Sequence, residues 1–316
     1  MKIVLPGGSG QIGTILCRAF TADGHQVVVL SRRPASAPWR TVPWDAENVG
    51  EWTGEIDGAD VLINLAGRSV NCRYNADNRR RILESRVRST RAVGRAIAQS
   101  AKPPALWLQA ATATIYAHRY DAPNDEATGI LGGSESDAPA AWRFSIDIAK
   151  AWEQAVGEAI TARTRKVLLR SAMTMNADRG GIFDALLGLV RHGLGGMAGD
   201  GKQYISWIHE RDFVRAVYWL IDHPDLSGPV NVTSPNPLPN AEFMRLLRLA
   251  WGARVGLPAF KWMLAIGAVF MRTETELILK SRRVVPTRLL ESGFSFTFPD
   301  WEKAAEDLCR RWREQP

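Results

Sequence analysis

The sequence predicts an α/β protein: a doubly wound parallel sheet over residues 1–221, then a smaller, mainly helical lobe over residues 222–316. Three observations carry this. Short apolar, β-branched runs alternate with helical patterns over the first 170 residues or so, as crossover units joining parallel strands require. A glycine-rich turn joins the first strand to the first helix. The end of the chain changes character, with apolar helical stretches at 261–271 and 275–279 and a further helix at 301–312. At 316 residues the chain is long enough for one large domain with an appended lobe.

The first strand, residues 2–5, has β-branched residues at Ile3 and Val4 and runs into Pro6-Gly7-Gly8-Ser9-Gly10-Gln11-Ile12-Gly13 before a helix predicted over Gln11–Ala22. Gly7 can adopt the angles of a tight turn, Gly10 lets backbone approach a pyrophosphate, and Gly13 lets the helix pack on the strand. The helix N-terminus, around Gln11 and Ile12, then offers unpaired N–H groups and partial positive charge to phosphates. A turn at Asp23-Gly24-His25 leads to a second strand at 26–30, completing a dinucleotide-binding βαβ unit, so the sheet is Rossmann-like. Arg32 and Arg33 follow that strand, where an acid would accept hydrogen bonds from the adenosine ribose. Arginine pairs with a 2′-phosphate there, so NADP(H) is the expected cofactor.

Residues 41–44 read as a third strand and 60–65 as a fourth, ending in Asn64-Leu65-Ala66-Gly67. Small residues at a strand's C-terminal end let a cofactor lie across the sheet, which adds Leu65, Ala66 and Gly67 to the binding set. A long helix at 76–99 and a fifth strand at 105–111 come next. Residues 117–140 form a polar loop whose length suits a substrate cover. A helix at 142–160 precedes a sixth strand at 166–170, whose last residue, Arg170, joins the cofactor candidates. Further on come a helix at 213–221 with Asp212 as the first-turn acid favouring its dipole, a strand at 229–233, a helix at 240–250 begun by an Asn240 cap, and helices at 261–271, 275–279 and 301–312.

The G-x-x-G-x-x-G spacing at Gly7, Gly10 and Gly13 resembles the short-chain dehydrogenase/reductase superfamily in its extended and atypical branches. That resemblance implies a Ser/Thr hydroxyl holding the reacting oxygen at the end of the fifth strand, where Thr112 stands. It also implies a Tyr-x-x-x-Lys pair, in which lysine lowers the tyrosine pKa for proton exchange. The pair is missing. Lys150 has Ile146 four residues before it, and alignment on Glu153 puts Ser145 and Ala149 in the two slots. The catalytic candidates are therefore Thr112, Tyr116 and His209, with Lys150 or a water as other proton sources.

The run from Gly195 to Asp212, with Gly195-Gly196, Gly199, Gly201, Gln203 and Ser206-Trp207-Ile208-His209, resembles one atypical branch, the epimerase-family proteins with a small C-terminal domain. Ser85-Arg86, Ala151-Trp152-Glu153 and Ser281-Arg282-Arg283-Val284-Val285-Pro286 resemble the same branch. The resemblance implies hydride transfer on a small molecule, with a sugar nucleotide suggested by the family label, and a homodimer through helices flanking the fourth and fifth strands. A non-catalytic NADP(H)-binding regulatory protein is the alternative that the missing pair leaves open.

The formal charge of +7 is spread over short arginine clusters without a nucleic-acid module, so nucleic acid is not an expected partner. Cys17, Cys72 and Cys309 are too dispersed for a disulfide framework or a zinc site, and no metal is expected. The apolar stretch at 262–271 is too short to span a bilayer, which needs about 20 residues. With no signal-peptide pattern before the first strand, a cytoplasmic location is expected.

Overall fold

The computed structural model describes residues 1–135, 139, 142–259 and 276–315; the helix expected at 261–271 lies outside them. Along the chain, β1 (Lys2–Pro6), α1 (Gln11–Ala22), β2 (Gln26–Ser31), β3 (Arg40–Pro43) and β4 (Val61–Asn64) come first. Next are α2 (Ala76–Gln99), β5 (Leu106–Thr112), α3 (Arg143–Gly157), β6 (Arg165–Ser171) and β7 (Met173–Met175). Then follow α4 (Ile182–Arg191), β8 (Tyr204–Ile205), β9 (Trp207–His209), α5 (Glu210–Asp222) and β10 (Gly228–Val232). The last are β11 (Leu238–Pro239), α6 (Asn240–Trp251), α7 (Glu276–Leu279), α8 (Thr287–Glu291) and α9 (Trp301–Arg313).

Among the described residues the main sheet has seven strands in the order β10-β6-β5-β4-β1-β2-β3, and every pairing in it is parallel. Such strands are covered on both faces, which explains why β1 and β2 are apolar almost throughout. Ile3 and Leu5 face Leu16 and Phe20 of α1 and Phe213 and Val217 of α5. Val4, Leu62 and Trp107 face Val93 and Ile97 of α2 and Val156 of α3. The strand order reverses between β1 and β4, and the crevice outside that switch point is where open α/β sheets bind ligands.

A second core gathers α4, α6 and α9 around Phe183, Leu187, Phe243, Leu247, Trp301 and Leu308, with Phe243 stacked on Trp301 at 4.0 Å. This lobe also takes in β7, β9 and the β8–β11 pair. The chain returns after α5 to add β10 to the main sheet, because Val230 and Val232 complete the core beside Val167 and Leu169. The second lobe is interleaved with the first, drawing on segments before and after β10.

Two helix starts also differ from expectation. Asn240 does not cap α6: its Oδ1 accepts the Ala198 N–H at 2.7 Å, tying the helix to the Gly195–Gly201 turn region. Helix α5 begins at Glu210 rather than at 213, and Asp212 stands in its first turn as expected, fully buried and accepting the Thr297 and Phe298 N–H groups at 2.8 and 2.7 Å.

Candidate functional site

The glycine turn after β1 separates into closed and open positions. Gly7 has φ +75°, and a Cβ there would lie 2.6 Å from the Ala66 Cα. A Cβ on Gly13 would lie 2.2 Å from the Gly8 carbonyl oxygen. Gly10 is different: among the described residues its missing Cβ would meet only the Gly7 carbonyl oxygen, at 3.9 Å. The fold itself therefore demands glycine at 7 and 13, whereas the space beside the exposed Gly10 is open. Helix α1 starts there with no side-chain cap and no acid in its first turn, so its first N–H groups remain available to an anion. Gln11 beside it hydrogen-bonds Asn176, joining the turn to the loop after β7, and Ile12 is half-buried against the main core.

The neighbouring strand ends complete this edge. Ser31, at the end of β2, bonds Ser9 at 3.3 Å and accepts the Arg33 N–H at 3.2 Å. Arg32 and Arg33 project from that turn, both exposed, and among the described residues neither guanidinium has an acidic partner. After β4, buried Asn64 accepts the Ala66 N–H at 3.1 Å, and Leu65 donates its N–H to Pro6 at 2.8 Å, so Leu65, Ala66 and Gly67 run alongside the glycine turn. A Cβ on Gly67 would lie 3.3 Å from Arg86 Cζ. Arg86 donates to the Arg68 and Ile82 carbonyls and lies 4.9 Å over the Trp152 ring; burial pushes its pKa down to about 10.

The catalytic candidates are dispersed. Thr112 ends β5, half-buried, with Oγ1 accepting the Thr114 N–H at 3.2 Å, which leaves its own O–H to donate. Tyr116 is buried, its phenol donating to Asn231 at 3.0 Å and accepting from Arg170 at 2.8 Å. Burial raises the phenol's pKa despite Arg170 beside it. Arg170, a cofactor candidate by sequence, grips both carboxylate oxygens of Glu153 at 2.8 Å in a buried ion pair. Lys150 donates to the Gly132 carbonyl at 2.7 Å.

His209 is fully buried and caps α5. Its Nδ1 accepts the Arg211 N–H at 3.1 Å, its Nε2 faces Asp307 at 3.2 Å, and its ring stacks on Phe298 at 4.0 Å. Burial outweighs the Asp307 carboxylate and pushes its pKa down to about 4. Both ring nitrogens are thus committed to holding the turn between β9 and α5.

Sequence reasoning assigned no role to a cluster facing the β5 end. Ser145 Oγ donates to Glu276 at 2.6 Å, Lys280 Nζ to the Thr114 carbonyl at 2.8 Å, and Arg282 Nε to Thr114 Oγ1 at 3.1 Å. The only signals were Ser145 in the tyrosine slot and the Ser281–Pro286 motif, neither of which reveals that α7 docks there.

Sheet order, glycine turn and open helix N-terminus together define a dinucleotide-type α/β protein. The NAD dependent epimerase/dehydratase family profile matches residues 3–233, and the chain belongs to that family. A Domain of unknown function (DUF1731) profile matches residues 259–308. The chain is 32% identical over 317 aligned residues to Epimerase family protein SDR39U1 of Bos taurus, covering 98% of this chain and 99% of that protein. It is 30% identical over 316 residues to Epimerase family protein YfhF of Bacillus subtilis (strain 168), covering 98% of each. Among solved structures, human SDR39U1 (isoform 2) with NADPH superposes with a TM-score of 0.85 at 28% identity, over 98% of this chain and 99% of that one. UDP-N-acetylglucosamine 4-epimerase from Bacillus cereus, at 16% identity and a TM-score of 0.75 over 99% of each chain, shares the fold.

Proposed function

We propose that this chain binds NADP(H) at the β1/β4 switch point and acts on a carbonyl or carbinol carbon of a small-molecule substrate. The observation that carries the reading is the glycine turn, closed by backbone at Gly7 and Gly13 and open at Gly10. The NADPH in the human SDR39U1 structure supports the choice of cofactor. Gly10 and the N–H groups of Gln11, Ile12 and Gly13 would receive the pyrophosphate, and Leu65, Ala66 and Gly67 would border the nucleotide. Arg32 and Arg33, without acidic partners among the described residues, would pair with the 2′-phosphate. When bound, the cofactor supplies or accepts a hydride. Thr112 would hold the substrate oxygen through its O–H, which donates to no group among the described residues. A sugar nucleotide is the substrate class that the family's epimerase members suggest.

A non-catalytic NADP(H)-binding role is the second reading, favoured by the engagement of Tyr116 and His209 in structural bonds. The cofactor reading is tested by titrating the protein with NADPH and NADH and following tryptophan fluorescence, with Arg32→Ala in parallel. A charge-assisted hydrogen bond contributes about 1.5–3 kcal/mol, so Arg32→Ala should weaken NADPH binding roughly 10- to 150-fold and leave NADH unchanged. Equal losses for both nucleotides would remove the 2′-phosphate assignment, and absence of binding by either would remove the function.

A further inference from the structure

We propose that Lys280, delivered by the C-terminal segment to the end of β5, is the proton donor to the substrate oxygen, in place of the superfamily's tyrosine. This deepens the NADP(H) reading and rests on it. In the register aligned on Glu153 the tyrosine slot on α3 holds Ser145, whose hydroxyl is given to Glu276 at 2.6 Å. Glu276 and Lys280 stand four residues apart on and just after α7, so one docking event brings the carboxylate to α3 and the ammonium to the β5 end.

Lys280 is 1% exposed, and its Nζ makes one hydrogen bond among the described residues, to the Thr114 carbonyl at 2.8 Å. An ammonium has three N–H donors, and burying one with two unused is costly unless a further acceptor arrives. The turn it meets is the one carrying Thr112, since Thr112 Oγ1 accepts the Thr114 N–H and Arg282 fixes Thr114 Oγ1. That turn lies at the C-terminal edge of β5, on the side of the switch point away from Arg32 and Arg33, where the nicotinamide end of the nucleotide belongs. The charged groups facing Lys280 are Arg282 and Glu276 from its own segment and Glu135 from the loop after β5. Burial, aided by Arg282, pushes its pKa down to about 8, which suits proton exchange near neutral pH.

In the reductive direction the Nζ–H bond of Lys280 breaks and its electron pair stays on nitrogen. The proton bonds to the substrate oxygen through the pair that the C=O π bond releases as the dihydronicotinamide's hydride, with two electrons, reaches carbon. The neutral amine regains its proton from water. In oxidation the amine takes the alcohol proton.

The test is a pH titration of protein labelled with [ε-13C]lysine, followed by NMR, the Lys280 signal being assigned by its loss in both Lys280→Met and Lys280→Arg. Titrations are run on the free protein, with NADPH and with NADP+. The oxidised ring carries a positive charge that the reduced ring lacks, so a lysine beside it should titrate at least about half a unit lower with NADP+ than with NADPH. That difference, with a free-protein midpoint near 8, is the expected result. Identical midpoints in the two complexes, or a midpoint at the value of an exposed lysine, overturn the assignment while the cofactor reading stands. If tryptophan fluorescence shows that neither nucleotide binds, the cofactor reading falls and takes this inference with it.

Discussion

Alanine at Gly10 and at Gly13 should separate binding from folding. At Gly10 the backbone is extended (φ −82°, ψ 175°), and the added Cβ would meet nothing closer than the Gly7 carbonyl oxygen at 3.9 Å. The cost to the fold is then the loss of a favourable N-cap residue, about 1 kcal/mol or less, which lowers Tm by a few degrees at most. The same methyl occupies the space assigned to the pyrophosphate. Forcing one methyl into a close-packed contact costs about 1–3 kcal/mol, so NADPH should bind roughly 5- to 150-fold more weakly. At Gly13 the Cβ would fall 2.2 to 2.5 Å from three Gly8 backbone atoms, a clash that only separation of α1 from the turn can relieve. Gly13→Ala should therefore lose stability as well as binding. Differential scanning fluorimetry and NADPH fluorescence titration on the two variants decide it. Wild-type NADPH affinity in Gly10→Ala would mean that no ligand passes over that glycine, refuting the cradle argument.

Other expectations follow from the buried polar groups. The folded-state pKa of His209, about 4, lies below its unfolded value near 6.5, so its contribution is complete above pH 6.5 and is lost as pH falls from 6.5 towards 4. That loss is on the order of 3 kcal/mol, and urea unfolding at pH 7 and pH 4.5 should show it shrinking in His209→Gln; an unchanged pH dependence would contradict the buried neutral imidazole. Arg170→Met strands the Glu153 carboxylate and should cost roughly 3–5 kcal/mol in chemical denaturation, with NADPH affinity retained by the folded fraction. Lost affinity without lost stability would restore Arg170 to the cofactor site. Tyr116→Phe leaves Asn231 and Arg170 each short of a partner and should cost about 1–3 kcal/mol by the same assay, with no change in NADPH binding.

The sequence by itself determined the alternating α/β class, the glycine turn and most element positions, because these depend on local periodicity and on backbone freedom at single residues. Helix α1 and helix α2 were legible to the residue, since an apolar stripe of helical period and a glycine or asparagine at the start define them within one stretch of chain. The placement of Gly7–Gly13, Arg32, Arg33 and Leu65–Gly67 at strand ends was legible too, because the sequence already locates β1, β2 and β4. Tertiary structure decided what depends on contacts between distant segments. Only the fold shows that β10 rejoins the main sheet, since parallel pairing with β6 leaves no mark on the residues between them. Tyr116, Arg170 and His209 have chemically suitable side chains, yet Asn231, Glu153 and Asp307, each far along the chain or on another element, claim their polar atoms. Conversely, Lys280 carries no local signal. Its burial against Thr114, 166 residues away, is what turns an ordinary lysine into a group able to exchange a proton.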